Sequence, residues 1–452
     1  MHGREPRQSQ FRLLRERRFM PFFCTQLLGA LNDNVFKIAF TSLVTYQAAR
    51  FEGVDGATAA FLISAIFILP FMLFSATSGQ IADKIDRARL MQGVKLMEVV
   101  IMLVGAAGFW LYSAPILYVT TFLMGLHSTI FGPAKYAYLP QHLAQRELMG
   151  GNGLVQMATF VAILAGTIGG GELARLAAAD TWIIGVICIA LALAGLFAAL
   201  RIPPSPAPAP TLAINWNPLS ETLHNLRLAG SDRTVLMGMV GISWLWFLGA
   251  TFLASFFGFS RDVLSADQSV LTLLLAMFSL GVGAGALLCE KLGGGRLETG
   301  LVPLGALGMS VFAADLYFAS AGLAGLPHLQ SMSEFLSRPQ HWRILLDLWL
   351  LSLFAGVYSV PLYALIQSRS DPACRARIIG ANNILNAVFM VFSALFAMML
   401  LGAGLSIPQL YGVTALLNVV MAAILFMSVP EFMNRFFIWC RIRKVNQEDV
   451  ND

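Results

Sequence analysis

Gly79-Gln80-Ile81-Ala82-Asp83-Lys84-Ile85-Asp86-Arg87-Ala88-Arg89 joins two apolar runs, near 57–82 and 90–112, and packs five charges between them. Both runs exceed the ~18 residues a helix needs to cross a bilayer, so the segment reads as a tight loop at a membrane face. A weaker echo, Gly285 with Glu290-Lys291 and Gly295-Arg296, follows 206 positions later at the exit of another apolar run. A second echo pairs Gly151-Asn152 and Gln156 with Ala381-Asn382 and Asn386, 230 positions apart. The offsets differ by 24 residues, and the polar stretch from Gly325 to Trp342 supplies the required insertion in the second copy. The chain is thus read as a duplicated six-span unit.

Working outward, twelve such runs fall between residues 19 and 429. With 57% hydrophobic and only 12% charged residues, and a mean hydropathy of +0.70, the 452-residue chain is too apolar for a soluble protein. The net charge of +5 does not indicate nucleic acid, because 23 of the 30 Lys and Arg residues fall on one side of a twelve-span topology. That bias places both termini in the cytoplasm. The Arg-rich start (Arg4, Arg7, Arg12, Arg15, Arg17, Arg18) lacks the short apolar core and cleavage site of a signal peptide. The expected organisation is a basic amino terminus (1–18), a six-helix bundle (19–201), a linker (202–232), a second bundle (233–429) and an amphipathic tail (430–452). Within the linker, Pro203 to Pro210 is an extended polyproline segment. Asn217-Pro218 then signals a short helix whose Trp216, Leu219, Leu223 and Leu226 recur at helical spacing, as on a membrane surface or in an exposed connector.

Polar groups inside spans carry the functional reading. Asn32, Asp33, Asn34 and Lys37 occupy the first span, where one charge costs about 2.5–3.5 kcal/mol on insertion scales. Asp33 and Lys37 share a helix face and partly neutralise each other; they either lock two helices or meet a cargo. Lys95, three residues before Glu98 in span three, reads as a local ion pair or a phosphate ligand. Lys135 and Tyr136 end span four, as an interfacial anchor or a headgroup contact. Asn152 and Gln156 on span five, and Asn382 and Asn386 on span eleven, present amides one turn apart, as interhelical glue or as ligands. Asp347, four residues after Arg343, reads as its surface partner, which leaves Asp315 unexplained. The tail from Glu431 to Lys444 mixes aromatics and cations, as in a helix drawn to anionic lipid or docked on a partner enzyme.

Five scattered cysteines (Cys24, Cys188, Cys289, Cys374, Cys440) form no CxxC pair, and none of six histidines begins an HxxxxD acyltransferase box. No enzyme activity, metal site or cofactor is expected.

The Gly79–Arg89 segment resembles the G-x-x-x-D-x-x-G-R-R loop of the major facilitator superfamily, with Gly79, Asp83, Arg87 and Arg89 in its functional positions and Asp86 where the pattern has glycine. Leu31-Asn32-Asp33-Asn34, Gly132-Pro133-Ala134-Lys135-Tyr136, Gly151-Asn152-Gly153-Leu154, Val360 to Gln367 and Gly380-Ala381-Asn382 resemble the lysophospholipid transporter branch of that superfamily. The resemblance implies an all-α polytopic membrane protein with twelve transmembrane helices in two six-helix bundles around a central cavity. It also implies inward flipping of lysophospholipids, chiefly lysophosphatidylethanolamine, across the bacterial inner membrane for reacylation, by alternating access. Some members of the branch fuse transporter, acyltransferase and acyl-carrier ligase. Pro430 to Trp439 is similar to the junction before that acyltransferase, so the expected partner enzyme is a separate protein. Efflux of small amphipathic compounds, or a membrane scaffold for a lipid acyltransferase, are the alternatives.

Overall fold

Helix starts follow the capping chemistry written into the chain. Asp86, Asn217, Asp232 and Asp267 each accept hydrogen bonds from the first backbone N–H groups of the helix they precede, and Ser406 with Gln409 forms a reciprocal capping box. The computed structural model describes residues 9–47, 50–51, 56–177, 179–323 and 325–451, with side chains for all but 56–58 and 442–451. Arg4, Arg7, Arg443 and Lys444 of the basic termini lie outside the described residues or side chains.

The helices are α1 (Met20–Tyr46), α2 (Gly56–Lys84), α3 (Arg87–Trp110), α4 (Ala114–His142), α5 (Leu148–Leu176), α6 (Trp182–Ala199), α7 (Pro218–Gly230) and α8 (Arg233–Gly258), then α9 (Gln268–Gly293), α10 (Leu301–Ser320), α11 (Met332–Leu336), α12 (Pro339–Arg369), α13 (Arg375–Gly402), α14 (Ile407–Ser428) and α15 (Glu431–Asn451). Among the described residues, 11 helices are long and apolar enough to cross a membrane. The helix α1, at 27 residues, is roughly 40 Å long and spans by length; its Asn32, Asp33, Asn34 and Lys37 keep it out of the apolar set. The chain is a multi-pass membrane protein.

Two compact units emerge. Unit 1 comprises residues 1–143, 161–231 and 370–387, and unit 2 comprises 144–160, 232–369 and 388–452. In unit 1, α3 packs on α4 and α6, and α2 on α4; Phe36, Phe40, Phe109, Leu117 and Met124 fill its apolar core. In unit 2, α12 is buried along most of its length against α8, α9 and α10. The stretch from Gly325 to Trp342 is tied down there by Gln330, whose carbonyl accepts from Asp267 N at 2.9 Å and whose N–H donates to Ser265 O at 2.7 Å.

Candidate functional site

The polar residues of α1 meet partners from α3 and α4 inside unit 1. Asn32 Nδ2 donates to Glu98 Oε1 at 2.7 Å, and Glu98 is also ion-paired with Lys95. His127 Nε2 lies 3.0 Å from Glu98 Oε2, and its Nδ1 lies 4.0 Å from Asp33 Oδ1. Ser128 donates to Asp33 Oδ2 at 2.6 Å. Asn32, Lys95, Glu98 and His127 are all buried. Burying an ion costs several kcal/mol that only close pairing offsets, so Lys95 and Glu98 hold each other. The Lys95 ammonium occupies space left by two glycines: a Cβ at Gly29 or at Gly195 would stand 2.9 Å from Nζ. Lys95 is therefore paired with Glu98 and enclosed by α1 and α6. By contrast, Asp33 Oδ1 and Asn32 Oδ1 are buried without a hydrogen-bond donor.

The remaining sequence candidates on α1 and α4 divide. Asn34 turns back on its own helix, donating to Ala30 O at 2.7 Å. Lys37 is half-buried, its Nζ 4.0 Å from the centre of the Phe67 ring, and Lys135 is half-buried with Nζ 4.7 Å from the Tyr136 ring. Neither lysine has a carboxylate partner among the described ion pairs.

At the other end of α2, Asp83 is buried and caps a helix distant in sequence. Its Oδ1 accepts from Arg87 Nη2 at 3.0 Å and Ala376 N at 3.2 Å, and its Oδ2 from Arg377 N at 3.2 Å. These amides open α13, whose dipole favours a carboxylate there. Gly79 permits the approach, since a Cβ would stand 2.8 Å from both Ala376 O and Arg377 Cα. Arg87 Nη1 also reaches Gln141 Oε1 at 2.8 Å. Arg89 is exposed; only its backbone N–H takes part, donating to Asp86 Oδ1. Asp86, the departure from the glycine pattern, keeps a negative φ of −52° and has its own task. Besides capping α3, it accepts from Ser205 N at 2.9 Å, while Ser205 O accepts from Arg87 N at 2.9 Å. Gln80 likewise brackets Asn215, donating to its carbonyl at 2.9 Å and accepting from its N–H at 2.7 Å. The proline-rich segment is strapped along the loop.

The amides of α5 face α12 within unit 2. Asn152 and Gln367 exchange two hydrogen bonds, at 2.6 and 3.0 Å, and Gln156 donates to Ser359 at 2.8 Å. These contacts tie α5 to α12. Asn382 and Asn386 are buried in unit 1 on α13, and Asn382 Oδ1 has no donor. The expected Arg343–Asp347 pair does not form: Arg343 reaches across to Asp315, with Nε 3.0 Å from Oδ2, and Asp347 is buried. Their shared helix places the two residues on one face, but Asp315 on α10 offers Arg343 a two-pronged contact. The tail α15 is anchored by Arg435 on Glu298 at 2.8 Å and by Trp439 Nε1 on Leu292 O at 2.9 Å. A cavity in unit 2 lined by Leu248, Phe252, Phe278, Met309, Leu351 and Asn418 holds about 20 Å³, room for about one water and not for an acyl chain.

Sequence reasoning missed His127, Ser128 and Gln367, and took Glu98 only as a neighbour of Lys95. His127-Ser128 inside an apolar run carried the same energetic signal as Asn32-Asp33-Asn34.

The family description Major Facilitator Superfamily matches residues 22–329. The chain is 28% identical over 386 residues to the lysophospholipid transporter LplT of Cronobacter sakazakii, covering 83% of this chain and 85% of the relative. It is 26% identical over 363 residues to the protein of the same name from an Enterobacter species, covering 79% and 81%. Among solved structures, it is similar to the human organic anion transporter MFSD10, with a TM-score of 0.70, 14% identity and coverage of 90% of this chain and 99% of that one. The Escherichia coli fucose:proton symporter FucP gives a TM-score of 0.67 at 13% identity, covering 91% and 99%. A transporter fold, a membrane loop of matching pattern whose aspartate caps a helix, and a match over most of the chain agree: this protein belongs to the major facilitator superfamily.

Proposed function

We propose that this chain carries lysophospholipids, chiefly lysophosphatidylethanolamine, inward across a bacterial inner membrane by alternating access, with both termini in the cytoplasm. The named relatives support the cargo class, and one observation supports it in this chain: a buried carboxylate oxygen without a hydrogen-bond donor among the described residues, Asp33 Oδ1, in the same unit as two half-buried lysines that form no ion pair with a carboxylate among the described residues. A zwitterionic headgroup needs both. Asp33 receives the ammonium, Lys37 and Lys135 the phosphate, and the capped loop around Asp83 holds the cytoplasmic side. Reacylation falls to an acyltransferase and acyl-carrier ligase.

The test is uptake of labelled lysophosphatidylethanolamine by spheroplasts of a deletion strain with and without this protein. Equal uptake ends the proposal. Asp33→Ala is expected to abolish uptake while the protein remains in the membrane.

A further inference from the structure

The proline-rich segment aims its few backbone donors at the Asp83 loop. Prolines at 203, 204, 206, 208 and 210 carry no N–H, so from Pro203 to Pro210 only Ser205, Ala207 and Ala209 can donate from the main chain. Ser205 N donates to Asp86 Oδ2 at 2.9 Å, and Ala209 N donates to Asp83 O at 3.0 Å. In return, Arg87 N donates to Ser205 O at 2.9 Å. Pro204, Pro206 and Pro210 are exposed while Ser205 is fully buried, so polar pairing, not burial of the prolines, seats the segment. Because proline presets φ, such a segment loses little entropy on being seated. Ser205 also starts a relay. Its Oγ donates to Gln141 Oε1 at 2.6 Å, and His142 Nε2 lies 3.2 Å from the same hydroxyl. Gln141 Nε2 donates to Pro206 O at 3.0 Å, while its Oε1 also accepts from Arg87 Nη1 at 2.8 Å. Arg87 Nη2 in turn donates to Asp83 Oδ1, which accepts from Ala376 N at the start of α13. Segment, Gln141, Arg87, Asp83 and α13 thus form one hydrogen-bonded line inside unit 1. Asp86 fits this arrangement: glycine at that position would cap α3 nearly as well, but it has no oxygen to offer Ser205 N.

We propose that the loop is a binding site for this chain's own proline-rich segment, and that Asp86, Gln141 and Ser205 are positioning residues. Seating the segment orients Arg87, and Arg87 holds Asp83 on the start of α13. Seating and capping are then one event, and by linkage each changes the other by the same factor. The coupling is independent of the cargo.

The experiment is amide exchange on the full chain in lipid nanodiscs, read on peptides covering 203–211 and 370–380, with α12 peptides of unit 2 as the reference. Gln141→Ala breaks the relay without touching Asp83 or α13. It is expected to speed exchange at the start of α13 by about tenfold, the loss of one hydrogen bond to a charged group. Asp86→Gly is expected to free the Ser205 amide and loosen both peptides, whereas Asp86→Asn, which keeps an acceptor oxygen, retains protection in both. Asp83→Asn is expected to loosen 203–211 in return, and Gln141→Ala combined with Asp83→Asn to give less than the product of the single effects at the start of α13. If Asp86→Gly loosens 203–211 while the start of α13 stays within a factor of about three of the wild type, the segment is a mere connector and the proposal is overturned. Multiplying effects of Gln141→Ala and Asp83→Asn, or an Asp86→Asn that behaves like the glycine variant, overturn it as well. An equal rise in the α12 peptides also counts against it, because a positioning role is confined to the two segments. Should Gln141→Ala and Asp86→Gly fail to reach the membrane, Ser205→Ala removes a single hydroxyl and is expected to speed exchange at the start of α13 by about fivefold; an unchanged rate there refutes the relay.

Discussion

Removing the Asp83 carboxylate should unfasten the start of α13 by an amount the structure allows to be worked out. Asp83→Ala takes the acceptor from two backbone amides, Ala376 N and Arg377 N, each at 3.2 Å, and leaves the buried Arg87 with Gln141 as its remaining side-chain partner. Hydrogen bonds to a charged group contribute about 1.5–3 kcal/mol each. Because the two share one acceptor they are not additive, and about 3 kcal/mol is a fair sum. If that energy holds the first turn of α13 closed, local opening becomes roughly 150-fold more frequent. Amide exchange measured by mass spectrometry on peptides spanning residues 370–380, in lipid, reads that number directly. Asp83→Asn, which keeps one acceptor oxygen and loses the charge, should fall between, near tenfold for about half the energy. Exchange within a factor of about three of the wild type for Asp83→Ala would refute the cap.

Other outcomes follow from the same geometry. Asn152→Ala and Gln367→Ala, singly and together, should show a coupling of about 0.6–1.7 kcal/mol in a thermodynamic cycle of unfolding, as for interhelical hydrogen bonds in membranes; additive effects would mean the amides are not paired. Lys95→Ala strands the buried Glu98 and should lower stability by about 3–5 kcal/mol, seen as a large drop in thermal midpoint and membrane yield, whereas Lys95→Ala with Glu98→Ala recovers part of the loss. Burial pushes the Cys374 thiol, which lies between α12 and α13, above its ordinary value, so a maleimide at neutral pH should label exposed Cys440 well before Cys374. The order reverses only if the segment before α13 is open.

Periodicity and polar anomalies made most of the fold legible. The run lengths gave the spans, and Asn217-Pro218 marked the start of α7. The loop pattern gave Asp83 its importance, though its true partners, 293 and 294 residues away, left no local trace. The same limit hid the site's centre. Asp33 was conspicuous from the energy of a charge in hydrocarbon, but its contacts with His127 and Ser128 are set by how α1 leans on α4, which no spacing rule encodes. Lys95 illustrates the opposite failure: its spacing to Glu98 was readable, while the two glycines that make room for it were not. Asp86 looked like a defect in a motif because its partner, Ser205, sits in a segment that reads as a mere connector.

The seat of Lys95 also ties three positions together. Gly29 and Gly195 come from helices far apart in the chain, and each is approached by the end of the Lys95 side chain rather than constrained by its own backbone, for both sit at ordinary helical torsions. Alanine at either position asks the end of the Lys95 side chain to shift, and fills empty space once Lys95 has been replaced by a smaller side chain. The three positions are thus coupled: replacing Lys95 first makes alanine at 29 or 195 easier to accept.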